Sequence, residues 1–437
     1  MDLLVFLERD SPRVKYIFHH VFHHVLGLNI EFTQDESLFL SSSQPKLNYS
    51  KQPFADELFF YASDFIFQNN IETANLEFST YKGIKIFFLC KNSSLPFDPF
   101  SASFFMLSRY EEYLPHNKDK IGRFDVKDSI AFKNEFLTKP VVDHWIVFVK
   151  EKLLFRFPQL SFKENKFQFI NTIDVDNAYA YLEKGLLRTI GAVLKDILQF
   201  RFSSIKRRIG VLFFNKKDPY DTYRYLLSVN NKYNLKTIFF FLLGDYGFYD
   251  RNIHYTNVKL KQQIQEISNY CDIGIHSSMR SVDDHRQTAV EIERLESIIN
   301  KRVTVNRQHF LFLDIPFNYR NLINAGIEYD YSMGFPTHPG FRAGTSFPFY
   351  FFDLENNTPT NLLLYPFSVM DISFNNYLNM NPIMSLELIK EIIDNVHRVN
   401  GKFISIWHNE SLHNEDKWID WNCIYEDMIN YIINEKN

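Results

Sequence analysis

"FINTIDVDNAYAY", residues 169–181, decides how the chain is read. It begins as an apolar run of strand type and then places two acids, Asp174 and Asp176, at the run's end. A single Asp there serves as a helix cap or turn former. Two acids so close together are expected to project to opposite sides of an extended chain, and to meet only if the chain turns between them. Such a meeting suits a division of labour in which one carboxylate holds a cation and the other moves a proton.

Further apolar runs follow at 236–243, 271–276, 303–306 and 403–407. Each is separated from the next by enough chain for a helix, as in "DTYRYLLSVNNKYNL", "VKLKQQIQEISNY" and "TAVEIERLESIINK". This alternation predicts parallel strands covered by helices, in an open sheet or a barrel, with chemistry at the C-terminal strand ends. His276, Arg307 and His408 fall at or just after such ends, alongside the two acids. Upstream, "LLVFLE" and "KIFFLC" alternate with helical patterns such as "RVKYIFHHVFHHVLGL", which predicts a smaller α/β domain over 1–163 and a second domain over 164–437.

A length of 437 residues exceeds one ordinary core, in keeping with two domains. The net charge of -4 argues against a nucleic-acid binder. The three cysteines, Cys90, Cys271 and Cys423, lack paired spacing, so neither a disulfide framework nor a thiolate zinc site is indicated. The N-terminus has no signal-peptide pattern, and the longest apolar stretch is far short of the ~20 residues needed to span a bilayer. A cytoplasmic protein is expected. Residues 184–217 insert a basic, amphipathic stretch after the first strand. Its cations suit an anionic membrane surface or a phosphate-bearing glycolipid; the other reading is a solvated helix face packed on its host.

These motifs resemble those of the polysaccharide deacetylases of carbohydrate esterase family 4, in a divergent form with an extra N-terminal domain. "TIDVD" is similar to the motif that supplies a general base and a metal ligand, which implies Asp174 as the base and Asp176 as the ligand. "DIGIHSSMRS" resembles the second motif and implies His276 as a ligand; "NRQHF" implies Arg307 as the residue that orients the base. "AGIEYDYSMGF" resembles the segment that follows and implies Asp330 as a further catalytic residue near the site, and "SIWHNES" implies His408 as the general acid. The resemblance further implies a distorted (β/α) barrel. It implies a divalent metal, zinc first and cobalt or manganese next, and removal of an N-acetyl group from an acetamido sugar or glycan precursor. No nucleic acid and no obligate protein partner are implied.

One position departs from the pattern. The second motif of the family carries another His four residues after the first, and here that position is Arg280, which cannot ligate a metal. Either another residue such as His309 or His285 completes the shell, or Asp176 and His276 hold the metal with water, or no metal binds. His309 is the best substitute, since it follows Arg307 by two and is expected at a strand end on the same face. A catalytically degenerate glycan-binding or scaffolding protein is the alternative function. "FHHVFHHV" spaces histidines at i, i+4, but without an acid or third ligand nearby it reads as a packed helix face. Arg342, in "THPGFRAGTSFPF", either binds a substrate anion or anchors its loop to a carboxylate such as Asp353.

Overall fold

The computed structural model describes residues 2–284 and 286–434. The N-terminal part is built on a parallel sheet of four strands, β1 (Asp2–Leu7), β2 (Asn29–Thr33), β3 (Lys46–Ser50) and β4 (Leu58–Tyr61), in the order β2-β1-β3-β4. A small antiparallel pair, β5 (Ser79–Tyr81) and β6 (Ile84–Ile86), lies beyond it. The second sheet has nine strands. They are β7 (Gln168–Val175), β8 (Thr237–Phe241), β9 (Asp272–Ser277), β10 (Val305–Gln308), β11 (Tyr329–Asp330), β12 (Phe349–Asp353), β13 (Thr358–Leu364), β14 (Val369–Met370) and β15 (Lys402–His408).

Their order is β12-β13-β11-β10-β9-β8-β7-β15-β14, and every pairing is parallel except that of β12 with β13. From β7 to β11 each new strand adds on the same side, as it would in a barrel. The barrel expectation is nevertheless corrected: among the described residues the edge strands β12 and β14 do not pair, so the sheet is open. Closure needs a continuous hydrogen-bond stagger around all strands. Here one edge folds back as an antiparallel hairpin, and the other is only two residues long.

Alternation along the strands sorts side chains onto two faces. Phe169, Ile173, Phe239, Ile275 and Trp407 join the large hydrophobic core, which also takes in Leu3, Phe18, Phe100 and Trp145 of the N-terminal part. Ile170, Ile238, Phe240, Ile404 and Ile406 face the other way and form a smaller apolar cluster. That second face carries the polar site described below.

Polar contacts fasten the two parts together at buried positions. Glu112 accepts from Arg342 Nε at 2.8 Å and Nη2 at 2.5 Å, and from Arg109 Nε at 2.8 Å. Arg109 Nη1 donates to the Arg342 carbonyl. The expectation that Arg342 binds substrate is thereby corrected. Its guanidinium is enclosed and its charge is met by Glu112, while Asp353 pairs with Arg320 instead. Burial would raise the Glu112 carboxyl, but the charges of Arg342 and Arg109 outweigh it and hold it at about 2.

Removing one partner of a buried ion group leaves the others uncompensated. Glu112→Ala is therefore expected to cost roughly 3–5 kcal/mol, read as a lower urea midpoint. A depressed carboxyl stabilises the fold above its unfolded value of 4.5, and that contribution fades as pH falls toward about 2. The acid-induced loss between those limits should be smaller in Glu112→Gln than in the wild type.

Candidate active site

The reactive groups are alternate residues of neighbouring strands. Asp174 follows Ile170 and Thr172 on one face of β7, and Asp176 lies one residue past the strand's end at Val175; residues two apart leave an extended chain on the same side, and both carboxylates face His276 Nε2. The expectation of opposite sides is corrected on that ground. His408 ends β15 in register with Asp174, and His276 of β9 is in register with Arg307 of β10. His309 follows β10 directly.

Arg307 is fully buried, so its charge must be met inside the protein. Its Nη1 donates to Asp174 Oδ1 at 2.8 Å and Thr172 Oγ1 at 2.7 Å, and its Nε donates to the Tyr331 carbonyl at 3.1 Å. The guanidinium lies 4.5 Å from the centroid of Phe240. Phe240 in turn occupies space that a side chain at Gly274 would fill, since a Cβ there would stand 2.6 Å from the ring. A bare glycine on β9 thus seats the ring against which the arginine rests.

Each imidazole has one nitrogen tied back, which fixes the other. His276 Nδ1 donates to the Arg307 carbonyl at 2.9 Å, leaving Nε2 3.1 Å from Asp176 Oδ1 and 3.9 Å from Asp174 Oδ2. His309 Nδ1 meets Asp250 Oδ1 at 2.8 Å, leaving Nε2 3.5 Å from Asp176 Oδ2. His408 Nδ1 meets Asp371 Oδ1 at 2.8 Å, and its backbone N–H donates to the other oxygen of Asp371 at 2.8 Å. Its Nε2 stands 4.0 Å from Asp176 Oδ2.

Ligand atoms of Asp176, His276 and His309 all lie within 4.8 Å of one another, the one such convergence of His, Cys, Asp and Glu among the described residues. Oδ1 of Asp176 is buried without a hydrogen-bond partner, although His276 Nε2 stands 3.1 Å away, and Nδ1 of that ring, bonded to a carbonyl, leaves Nε2 able to act as an acceptor. Three acceptors facing one point need a proton or a cation between them. A tetrahedral divalent ion with nitrogen and oxygen ligands fits that donor set. Without a cation, burial opposes a charge on His309, yet Asp176 and Asp250 outweigh it and lift the imidazole to about 9. Burial likewise opposes charge on His408, and Asp371, then Asp176 and Asp174, lift it to about 10. Asp176 feels burial pushing its carboxyl up, but His309 and its neighbours hold it well below the ordinary range.

These groups line a cleft of about 430 Å³. Its walls include Phe310, Leu311, Met370, Tyr377 and Glu410, with Arg123 reaching in from the N-terminal part. Arg123 donates to the Phe310 carbonyl at 2.7 Å and to Tyr377 Oη at 3.2 Å. Burial, followed by the charges of Asp176 and Asp371, pushes the Glu410 carboxyl up.

Other sequence candidates lie elsewhere. Asp330 is enclosed behind Arg307, accepting from Asn306 and Ser332, so its catalytic assignment is corrected: it touches nothing in the cleft. Arg280 is outside the site and pairs with Asp245 at 3.3 Å. His285 lies outside the described residues. His20 is buried in a π-helix, His19–Val25, and among the described residues no carboxylate or thiolate joins its histidines in a ligand cluster. Sequence reading missed Asp250, Asp371, Glu410 and Arg123. Asp371 alone gave a local signal, an acid directly after the apolar pair Val369–Met370.

Residues 3–158 match a family described only as a "Family of unknown function (DUF7033)". No curated protein matches the chain in sequence. Among solved structures, a Mycobacterium smegmatis protein assigned as a polysaccharide deacetylase is 15% identical with a TM-score of 0.40, covering 61% of this chain and 85% of that one. The polysaccharide deacetylase Bc1974 from Bacillus cereus is 10% identical with a TM-score of 0.32, covering 62% and 89%. BA3943 of Bacillus anthracis, a CE4 family pseudoenzyme, is 12% identical with a TM-score of 0.30, covering 61% and 62%. At these values neither fold nor activity is read across, and the geometry of the cleft has to carry the reading.

If His309 stands in for the histidine missing at position 280, His309→Ala should lower zinc stoichiometry by elemental analysis, whereas Arg280→Ala should leave it unchanged. Equal metal in all three proteins would exclude His309 as a ligand.

Proposed function

We propose that the cleft is the active centre of a metal-dependent hydrolase that removes an N-acetyl group from an acetamido sugar or glycan precursor. One observation carries this reading. Around the Asp176, His276 and His309 cluster, an arginine-held carboxylate and a carboxylate-held imidazole both face the same cleft. The motif resemblance points to the same roles.

Asp176 Oδ, His276 Nε2 and His309 Nε2 would hold the divalent ion. When bound, such an ion supplies Lewis acidity, polarising a carbonyl oxygen and lowering the pKa of water. Arg307 occupies Asp174 Oδ1 and leaves Oδ2 toward the cleft, where it can accept the proton of an attacking water. His408, kept protonated by Asp371, presents Nε2 to the departing nitrogen and supplies the proton that lets the C–N bond break. Water oxygen then ends in acetate, and the sugar leaves as an amine. Arg307 and Asp371 act through Asp174 and His408 and are positioning residues.

Asp174→Asn keeps the shape but removes the proton acceptor, so turnover should fall roughly 10²- to 10⁴-fold while metal content is retained. Asp176→Asn should lower metal and rate together. Acetate release from acetamido-sugar substrates with added zinc, cobalt or manganese is the measurement. A wild type that binds glycan but releases no acetate, with both variants binding equally well, would favour the scaffolding alternative.

A further inference from the structure

The basic insertion forms two helices, Leu186–Leu198 and Phe202–Phe213, and they are mounted inside out. A water-facing amphipathic helix ordinarily turns its apolar stripe to the core. Here Leu187, Ile190, Leu194 and Leu198 recur at helical spacing and face outward, with Leu187 86% and Leu198 79% exposed. Asp196, which points away from that stripe, is the residue taken inward, where it pairs with Arg208 of the second helix at 3.1 Å. The second helix repeats the pattern, since Arg208 and Val211 are buried while Phe202, Ile209 and Phe213 are exposed. Phe200 between the helices and Phe214 after them are exposed as well. The reading of a solvated helix face packed on its host does not describe this arrangement.

Charge accompanies the apolar surface. Residues 184–217 hold nine Lys and Arg against a single Asp, within a chain of net charge -4. Lys195, Arg201 and Lys206 are exposed beside the stripe. An apolar face bordered by cations is complementary to a bilayer with anionic headgroups, where the stripe enters the acyl boundary and the cations stay with phosphate. No helix among the described residues is long and apolar enough to cross a membrane, so the contact is peripheral.

The hairpin is also tied to the rim of the cleft. Arg188 donates to the carbonyls of Arg251 and Asn252, next to Asp250, which orients His309. Arg207 pairs with Glu415 and Asp416, in the segment following His408. Exposed Phe248 and Tyr249 continue the apolar rim, and the Tyr249 ring meets that of Phe310 in the cleft wall, with centroids 5.7 Å apart.

We infer that the 186–213 hairpin seats this protein on an anionic membrane surface, with the cleft opening beside the bilayer. The inference stands on the hairpin alone and does not depend on deacetylation. Co-sedimentation of the full chain with vesicles of phosphatidylglycerol and phosphatidylcholine, against vesicles of phosphatidylcholine only, is the test. Binding to the anionic vesicles is expected, weakening as salt rises. Leu187→Glu with Leu194→Glu should weaken it by about tenfold or more, because both side chains leave the acyl boundary. Replacing Lys195, Arg201 and Lys206 with Ala should cost roughly fivefold per cation. All these residues are exposed, so thermal melting and metal content should not change, which separates loss of binding from loss of fold. Equal binding to both vesicle types, no binding to either, or binding insensitive to the leucine changes would overturn the inference. So would a wild-type dimer that the leucine variant converts to monomer without any vesicle binding, which would make a second copy the occupant.

Discussion

A fully buried guanidinium organises the C-terminal ends of the large sheet. Arg307 has no route to solvent, and an isolated charge in that position would be untenable. Asp174 on β7 answers it across two intervening strands, β8 and β9. That pairing fixes which oxygen of Asp174 is occupied and which remains free. It also sets demands on the strands between: β8 supplies Phe240 beneath the guanidinium, and β9 must carry a glycine where that ring passes. The carbonyl of the same arginine holds His276 Nδ1, so one residue disciplines both a carboxylate and an imidazole.

The remaining imidazoles follow the same logic with carboxylates in place of a carbonyl. Asp250 fixes His309 and Asp371 fixes His408, each through Nδ1, so every Nε2 is turned toward Asp176. β9 and β10 are adjacent and in register, so His309, directly after β10, reaches the same point as His276 on β9. Arg280 turns outward to Asp245.

The N-terminal part contributes more than a neighbouring surface. Glu112 and Arg109 grip Arg342 at buried positions, while Arg123 holds the carbonyl of Phe310. Phe310 adopts φ 57, a left-handed backbone that a phenylalanine seldom takes, immediately after His309. A guanidinium on its carbonyl and an imidazole held by Asp250 together keep that turn in place, so the cleft wall is built from both parts of the chain.

The sequence by itself determined the parallel strand and helix repetition, because buried strands and their covering helices leave distinct periods in the order of residues. It also determined that Asp174, Asp176, His276, Arg307, His309 and His408 stand at strand ends. Only the tertiary structure decided what they do to each other. Asp250 and Asp371 come from connections with no fixed spacing to the histidines they orient, and Arg123 comes from nearly two hundred residues upstream of the carbonyl it holds. The fate of Arg342 was equally illegible, since the same side chain serves as a substrate anchor or a buried tie depending on whether Glu112 reaches it. The open edges of the sheet and the outward-facing stripe of the 186–213 hairpin belong to the same class. Periodicity marks a helix as two-faced, but which face meets the body is settled by where Asp196 and Arg208 find each other.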